Sequence, residues 1–200
     1  MSDSDDRPSV THVEDGASLA DARVEPWPVR DTEVVWENPY FTAGYDIVDQ
    51  PNGELGRYYW IEPPDVASIV ARTSEGHVVL IEQYSPRQEQ SLLTCPGGGV
   101  EGDETFAEAG QRELREETGF QAGTVEMIST FRPSGWVRMT QAIVFACDLD
   151  PGPTDLDPGE CHEIITAPPD VAIDAVRSRS PGFISGPFPL LVARDEGLLA

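Results

Sequence analysis

Hydrophobic and polar positions alternate between residues 32 and 60, which is the period of strands that bury one face. A turn sequence with proline and glycine at residues 50–53 interrupts the alternation, so this stretch predicts a long β-hairpin. Two further apolar runs, residues 66–71 and 77–83, lie on either side of a tight turn sequence. Together these runs predict a mixed sheet.

A glycine-rich segment, residues 95–102, ends the strand pattern, and a helix is predicted after it. Thr105 can cap the start of this helix, because Glu108, three residues later, completes a capping box. Gly119 supplies the stop. The helix residues expected to pack on the sheet are small or apolar and recur at helical spacing: Ala107, Gly110 and Leu114.

The rest of the chain predicts two strands and two helices. Residues 125–131 and 142–149 are strand-like, and the second run is apolar enough to be a central strand. The residues between them form a loop. Asp170 precedes a short helical stretch that ends before residue 180, and a last helix is expected over residues 189–200. This mixture of strands and helices indicates an α/β fold.

The composition fits one globular domain preceded by a tail. The chain has 200 residues, of which 39% are hydrophobic, enough to fill a single core. Residues 1–25 are acidic and almost without large apolar groups, so a disordered tail is expected there. Residues 26–200 then form the domain, with N-terminal strands over 26–62 and its core over 63–200.

Cellular location and redox state are predicted from absent features. No apolar run approaches the roughly 20 residues that span a bilayer, and the first residues lack the basic and apolar regions of a signal peptide. A cytoplasmic protein without a membrane partner is therefore expected. Cys95, Cys147 and Cys161 lack metal-ligand spacing, which argues against a disulfide framework or a zinc site.

The charge balance is strongly acidic. Asp and Glu total 36 against 13 basic residues, all of them arginine, which gives a net charge of -23. Nucleic acid is not expected as a partner, because its binding depends on cationic contacts to phosphate. An acidic mesophilic enzyme is one interpretation. The absence of lysine favours a halophilic archaeon, whose proteins work in molar salt with a Debye length of about 3 Å.

A run of glutamates on the predicted helix carries the chemistry. Glu113, Glu116 and Glu117 stand at i, i+3 and i+4, so they project from one face. Without a counter-ion, each like-charge pair destabilises the helix by about a few tenths of a kcal/mol. A divalent cation turns the same set into ligands, and Mg²⁺ prefers carboxylate and phosphate oxygens. Arg112 can steady the cluster by pairing with one of the carboxylates.

A solvated helix face is the alternative for such a run, and an acidic chain makes it more common. That alternative leaves the neighbouring glycines and the arginine unexplained. Residues 98–120 together resemble the signature of the Nudix hydrolase family. The matching positions are Gly98, Glu104, Arg112, Glu113, Leu114, Glu116, Glu117 and Gly119, followed by aromatic Phe120 where an aliphatic residue is usual.

The Nudix resemblance implies an α/β/α sandwich around a mixed β-sheet, here with an N-terminal β-hairpin extension. It implies that Mg²⁺, or Mn²⁺ in its place, is bound by the three glutamates of the cluster and by the backbone carbonyl of Gly97. Glu104 and Arg112 would orient the cluster. Two or three metal ions would neutralise a diphosphate and lower the pKa of a bound water, which attacks phosphorus in line.

Residues outside the signature resemble the branch of the family that hydrolyses ADP-ribose and nucleoside diphosphate sugars. Residues 67–84 and 95–98 carry this resemblance. That branch has an arginine where this chain has Ser85, so a phosphate contact is assigned to Arg87, two residues later.

Further site residues are assigned through the same branch. Residues 133–135 resemble its specificity loop, so Trp136 either stacks on a base or ribose or caps the edge of the core. Gly98 is also assigned to the substrate. The general base of that branch often comes from a mobile acidic loop, and Glu160 is the first candidate here and Glu163 the second.

The resemblance implies hydrolysis of ADP-ribose or a related nucleoside diphosphate sugar to a nucleoside monophosphate and a sugar phosphate. One alternative is hydrolysis of a dinucleoside polyphosphate or nucleoside triphosphate. Another is a Nudix-fold sensor that binds a nucleotide without cleaving it, against which the complete carboxylate set argues. The partner is then a small-molecule nucleotide diphosphate. The N-terminal strands resemble the dimerising segment of the branch, which implies a homodimer.

Overall fold

The computed structural model describes residues 25–156, 162–179 and 185–199. The expected tail lies outside these ranges except for its last residue. None of the helices within them combines the length and apolar character that a membrane span requires.

Three N-terminal strands form an antiparallel sheet of their own, in the order β1-β2-β3. They are β1 (Val29–Asn38), β2 (Phe41–Asp49) and β3 (Leu55–Glu62). The turn predicted at residues 50–53 joins β2 to β3, but a second turn at residues 39–40 was not predicted. Its cause is local, since the side-chain oxygen of Asn38 accepts the backbone N–H groups of Tyr40 and Phe41. The predicted hairpin is therefore part of a three-stranded meander.

Two further sheets form the centre of the molecule. Their strands are β4 (Val66–Ala71), β5 (Val78–Ser85), β6 (Gln90–Thr94), β7 (Gly97–Gly99), β8 (Phe120–Phe131), β9 (Gln141–Pro151) and β10 (His162–Ala167). The strand orders are β7-β4-β9-β8 and β10-β5-β6. Because β4 is parallel to β9 and antiparallel to β7, the predicted mixed sheet is confirmed, with β9 in a central position.

Helices cover both faces of the four-stranded sheet. They are α1 (Phe106–Thr118), α2 (Pro169–Ser178) and α3 (Pro187–Asp195). Alternate residues of β9 belong to different cores, because Val144 packs with Leu114 of α1, whereas Ile143 packs with Ile173 of α2 and Leu190 of α3. This period of two is what a central strand between two helical layers requires. The α/β fold class is confirmed.

The face of α1 that packs on the sheet differs in one residue from the prediction. Ala109, Gly110 and Leu114 are buried, whereas Ala107 is only half-buried. A Cβ atom on Gly110 would lie 3.1 Å from the side chain of Val144, so the glycine permits close packing. The last helix is shorter than predicted, because Gly197 at φ +73° lets the chain turn back and bond to the final helical turn.

Candidate active site

Both ends of α1 are fixed by local contacts. At the start, the Thr105 hydroxyl accepts the backbone N–H of Glu108 at 3.3 Å, and the Glu108 carboxylate accepts the N–H of Thr105 at 2.8 Å. The predicted capping box is confirmed. At the end, Gly119 adopts φ +72° and donates its N–H to the carbonyl of Arg115. A Cβ atom there would lie 2.1 Å from the carbonyl oxygen of Gly152.

The carboxylates of α1 lie directly against the glycine turn of β7. The N–H of Gly97 donates to Glu117 Oε2 at 2.8 Å, and Glu117 is only 6% exposed. A Cβ atom on Gly98 would lie 2.3 Å from Glu113 Oε1. Gly97 itself has φ +152° and would direct a Cβ atom at the carbonyl of Ala67. Gly98 thus leaves room for the Glu113 carboxylate, and Gly97 permits the close approach of β7 to Ala67 of β4.

Arg112 is the centre of the acidic cluster. Its guanidinium donates to both oxygens of Glu104 at 2.9 and 3.1 Å, to Glu113 at 2.8 Å and to Glu116 at 3.1 Å. Its Nη2 also donates to the carbonyl of Gly99 at 2.7 Å. The sequence predicted that Arg112 pairs with one carboxylate. It pairs with three carboxylates, because a planar guanidinium has five N–H donors. The hydrogen bonds between Arg112 and Glu104 lower the pKa of Glu104 and raise the pKa of Arg112.

A second arginine, not assigned from the sequence, bonds to the same cluster. Arg115 Nη2 donates to Glu116 Oε1 at 3.2 Å, and Arg115 Nη1 lies 3.6 Å from Asp155 Oδ2. The backbone N–H of Asp155 donates to the carbonyl of Glu116 at 2.9 Å. The segment after β9 is therefore attached to the C-terminal half of α1.

The donor chemistry of the cluster fits a hard divalent cation. Within the described parts of the chain, no three acidic, His or Cys side chains already converge as one ligand set. The glutamate oxygens lie instead on Arg112 and on the amide of Gly97. The cluster has four carboxylates and two guanidinium groups, so its net charge is −2. The atoms that its carboxylates offer to a metal are all oxygen. Oxygen is the ligand type that Mg²⁺ prefers, and a net negative charge attracts a cation.

The remaining predicted residues lie away from α1 in sequence. Arg87 is exposed in the turn between β5 and β6. Glu163 lies in strand β10, opposite Glu82 of β5, rather than in a loop. Glu160 lies outside the described residues. Whether Arg87 or Glu163 acts on a substrate stays a prediction.

Trp136 lies beside the N-terminal sheet, and it is 59% exposed. Its ring borders a cavity of about 330 Å³ that Trp36, Tyr59 and Trp60 also line. Its carbonyl accepts the backbone N–H of Ile61 of β3 at 3.0 Å. The substrate contact assigned to this tryptophan stays a prediction.

Three residues near this cavity were missed by sequence reasoning: Asp46, Trp60 and Arg138. Asp46 accepts hydrogen bonds from both of the others, although Arg138 is 92 residues away. One signal was present. In β2 the buried positions alternate as Gly44, Asp46 and Val48, so a carboxylate occupies an inward position that needs a partner.

Comparison with known proteins places the chain among hydrolases of related fold. A family model described as NUDIX domain matches residues 62–185. An ADP-ribose pyrophosphatase of Bacillus subtilis (strain 168) is 27% identical over 66% of this chain and 73% of its own length. The methanol dehydrogenase activator of Bacillus methanolicus is 30% identical over 52% of this chain. The aligned part spans only 56% of the length of that activator.

A solved structure shares the architecture. The crystal structure of an ADP compounds hydrolase matches with a TM-score of 0.75 and 22% sequence identity, covering 87% of this chain and 95% of the other. This likeness concerns the fold.

Proposed function

The chain belongs to the Nudix family and is a Nudix hydrolase, and on that premise we propose that it cleaves the diphosphate of ADP-ribose or a related nucleoside diphosphate sugar. The products are a nucleoside monophosphate and a sugar phosphate. One observation carries the proposal, namely the contact of Glu113 and Glu117 with the glycine turn beside Arg112. The ADP-ribose pyrophosphatase relative supports the choice of substrate class.

Residues of α1 and β7 would hold the metal. We assign Glu113, Glu116, Glu117 and the carbonyl of Gly97 as ligands of Mg²⁺, for which Mn²⁺ would substitute. When bound, the metal supplies neutralisation of the diphosphate charge and activation of the attacking water. Arg112 and Glu104 orient the ligands, because Arg112 bonds two of the glutamates and Glu104 takes two of its N–H groups.

The general base is assigned from the family resemblance. Glu160 is the first candidate and Glu163 the second, since either carboxylate must reach the attacking water to accept its proton. Glu163 is exposed on β10. Removal of the correct carboxylate lowers kcat and flattens its dependence on pH, which separates the two.

The substrate's nucleoside would contact the aromatic cavity. Trp136 and Tyr59 are both exposed there, at 59% and 64%, and each offers a flat face to a base or ribose. The backbone of Gly98 lies beside the carboxylates where a diphosphate would bind, because it carries no Cβ atom. Arg87 is retained as a phosphate contact.

We further propose the domain division of the sequence analysis, a tail over residues 1–25 and a Nudix domain over 26–200, in a cytoplasmic homodimer. The exposed apolar residues of the N-terminal sheet support dimerisation, because exposed apolar surface is typical of an interface. Its apolar residues are more than half exposed: Val29, Val34, Val35, Trp36 and Leu55. We also retain the halophile hypothesis, which predicts loss of the circular dichroism signal when molar salt is diluted.

A substrate panel tests the function. The protein is incubated in molar KCl with Mg²⁺ and ADP-ribose, other nucleoside diphosphate sugars, dinucleoside polyphosphates or nucleoside triphosphates, and the products are separated by chromatography. We expect AMP and ribose 5-phosphate from ADP-ribose at the highest kcat/KM. Faster release of phosphate or diphosphate from a triphosphate would replace this substrate assignment. Tight ADP-ribose binding without turnover of any compound would indicate a sensor.

A further inference from the structure

Arg138 joins the segment after β8 to the N-terminal sheet. Its Nη2 donates to Asp46 Oδ2 on β2, 92 residues earlier in the chain. Its guanidinium carbon lies 4.2 Å from the centre of the Trp60 ring on β3. One side chain therefore contacts two strands of the sheet, through a charge pair and through a cation–π contact.

Asp46 is a buried carboxylate whose charge needs this arginine. It is 8% exposed, and its Oδ1 accepts the Thr32 hydroxyl at 2.9 Å and the Trp60 indole N–H at 3.1 Å. Both of those donors are neutral, whereas Arg138 is cationic. A buried carboxylate that loses its cation keeps the cost of desolvation without the attraction that offsets it.

The backbone around Arg138 continues the sheet. The Arg138 N–H donates to the carbonyl of Ile61 at 2.8 Å, and the Ile61 N–H donates to the carbonyl of Trp136 at 3.0 Å. Val137, which lies between Trp136 and Arg138 in the chain, forms a parallel β-bridge with Ile61. This short pairing fixes the backbone of Trp136 next to β3, where its ring borders the aromatic cavity.

We propose that Arg138 is a positioning residue: by pairing with Asp46 and Trp60, it fastens residues 132–140 to the N-terminal sheet and so sets the place of Trp136 at the aromatic cavity. Two backbone hydrogen bonds at the edge of β3 open easily on their own, and the contacts of the Arg138 side chain stabilise them against local unfolding. The effect on substrate rests on the proposed function, since Trp136 is assigned there to the nucleoside.

Hydrogen exchange tests the attachment without substrate or metal. We compare wild type with Arg138→Gln, with Arg138→Lys and with the double variant Arg138→Gln/Asp46→Asn. The control is Arg30→Gln, which removes an ion pair at 2.6 Å to Asp49 in the same sheet, where Arg30 is 66% exposed.

For Arg138→Gln we expect the amides of Ile61 and Arg138, which make the two backbone hydrogen bonds of the attachment, to exchange at least about tenfold faster, with residues 67–71 unchanged. Arg138→Lys should be intermediate, because lysine keeps the charge but lacks the planar group that stacks on Trp60. The double variant should regain thermal stability, since no carboxylate is left without a cation, while the amides of Ile61 and Arg138 still exchange fast. Exchange of these two amides at the rate measured in Arg30→Gln would overturn the proposal.

Steady-state kinetics test the consequence for substrate, with the nucleotide that the wild type hydrolyses fastest. We expect the KM of Arg138→Gln to rise by about two- to tenfold, no more than that of Trp136→Ala, with kcat within about twofold of wild type. A fall in kcat at unchanged KM would overturn the positioning role. If that nucleotide is not a nucleoside diphosphate sugar, the proposed substrate is wrong, but the exchange and KM comparisons still decide the role of Arg138.

Discussion

The side chains of helix α1 and those of the N-terminal sheet are fixed by different kinds of contact. On α1, Glu117 is 6% exposed, and its bond to Gly97 joins residues only 20 positions apart. On the N-terminal sheet, Trp36 is 59% exposed, and the link from Asp46 to Arg138 spans 92 positions. Dense local contacts thus fix the acidic groups, whereas a few long-range contacts fix the aromatic surface.

The contrast indicates a division of labour that kinetics can separate. Changes at the glycine turn and on α1 should act on kcat, because they move groups assigned to the metal and the diphosphate. Changes at the aromatic cavity should act on KM, because a stacking contact made equally in the ground state and the transition state contributes uniform binding.

The largest effect is expected for Glu117→Gln. Glutamine can still accept the N–H of Gly97, so the fold should persist, but the negative charge assigned to the metal is lost. We expect kcat to fall by about 10³-fold or more, measured with Mg²⁺ under saturating substrate. Glu126→Gln, on the exposed part of β8, is the control and should keep normal turnover. Near-normal turnover of Glu117→Gln would remove this residue from the site.

Gly98→Ala should have the next largest effect. The new Cβ atom would lie 2.3 Å from Glu113 Oε1, so the carboxylate must move away from the turn. We expect kcat to fall by about 10²-fold. The matched control is Gly99→Ala, whose Cβ atom would meet nothing closer than 3.9 Å. Equal activities of the two variants would show that the Gly98 contact does not matter.

Trp136→Ala should act on the other region. Removal of a stacking face is worth about 0.5–1.5 kcal/mol, which corresponds to a rise in KM of about two- to tenfold. The value of kcat should change little, and Trp136→Phe should restore most of the affinity. A loss of kcat comparable with that of Glu117→Gln would contradict the division between the two regions.

Glu104→Gln should have the smallest effect, a loss of thermal stability that depends on pH. The hydrogen bonds from Arg112 lower the pKa of Glu104, so its ionised form stabilises the fold above its ordinary pKa of about 4.3. That contribution is lost as the pH falls through the lowered value. At pH 7 and without metal, we expect the melting temperature of the variant to be lower by about 2–4 °C. The difference should shrink towards zero as the medium is acidified, and a difference that grew with acid would contradict the assignment.

The regions also differ in how far the sequence predicts them. The capping box and the stop at Gly119 could be predicted, because each depends on residues close together in the chain. The bond of Glu117 to the N–H of Gly97 was not predicted, because it joins β7 to α1 across 20 positions. The pairs of Arg115 with Asp155 and of Arg138 with Asp46 could not, because no local pattern states which distant segment a side chain will meet. For Asp46, its inward position in β2 indicated a partner but not which one.

The most direct test of the central claim is a titration with Mn²⁺ in molar KCl, followed by the electron paramagnetic resonance signal of the free ion. High salt screens the general attraction of an acidic surface for cations, so specific binding remains. We expect wild type and Glu126→Gln to bind Mn²⁺ equally, Mg²⁺ to displace it, and Glu117→Gln to bind at least about tenfold more weakly. Equal binding by Glu117→Gln and wild type would contradict the assignment of this glutamate cluster as the metal site.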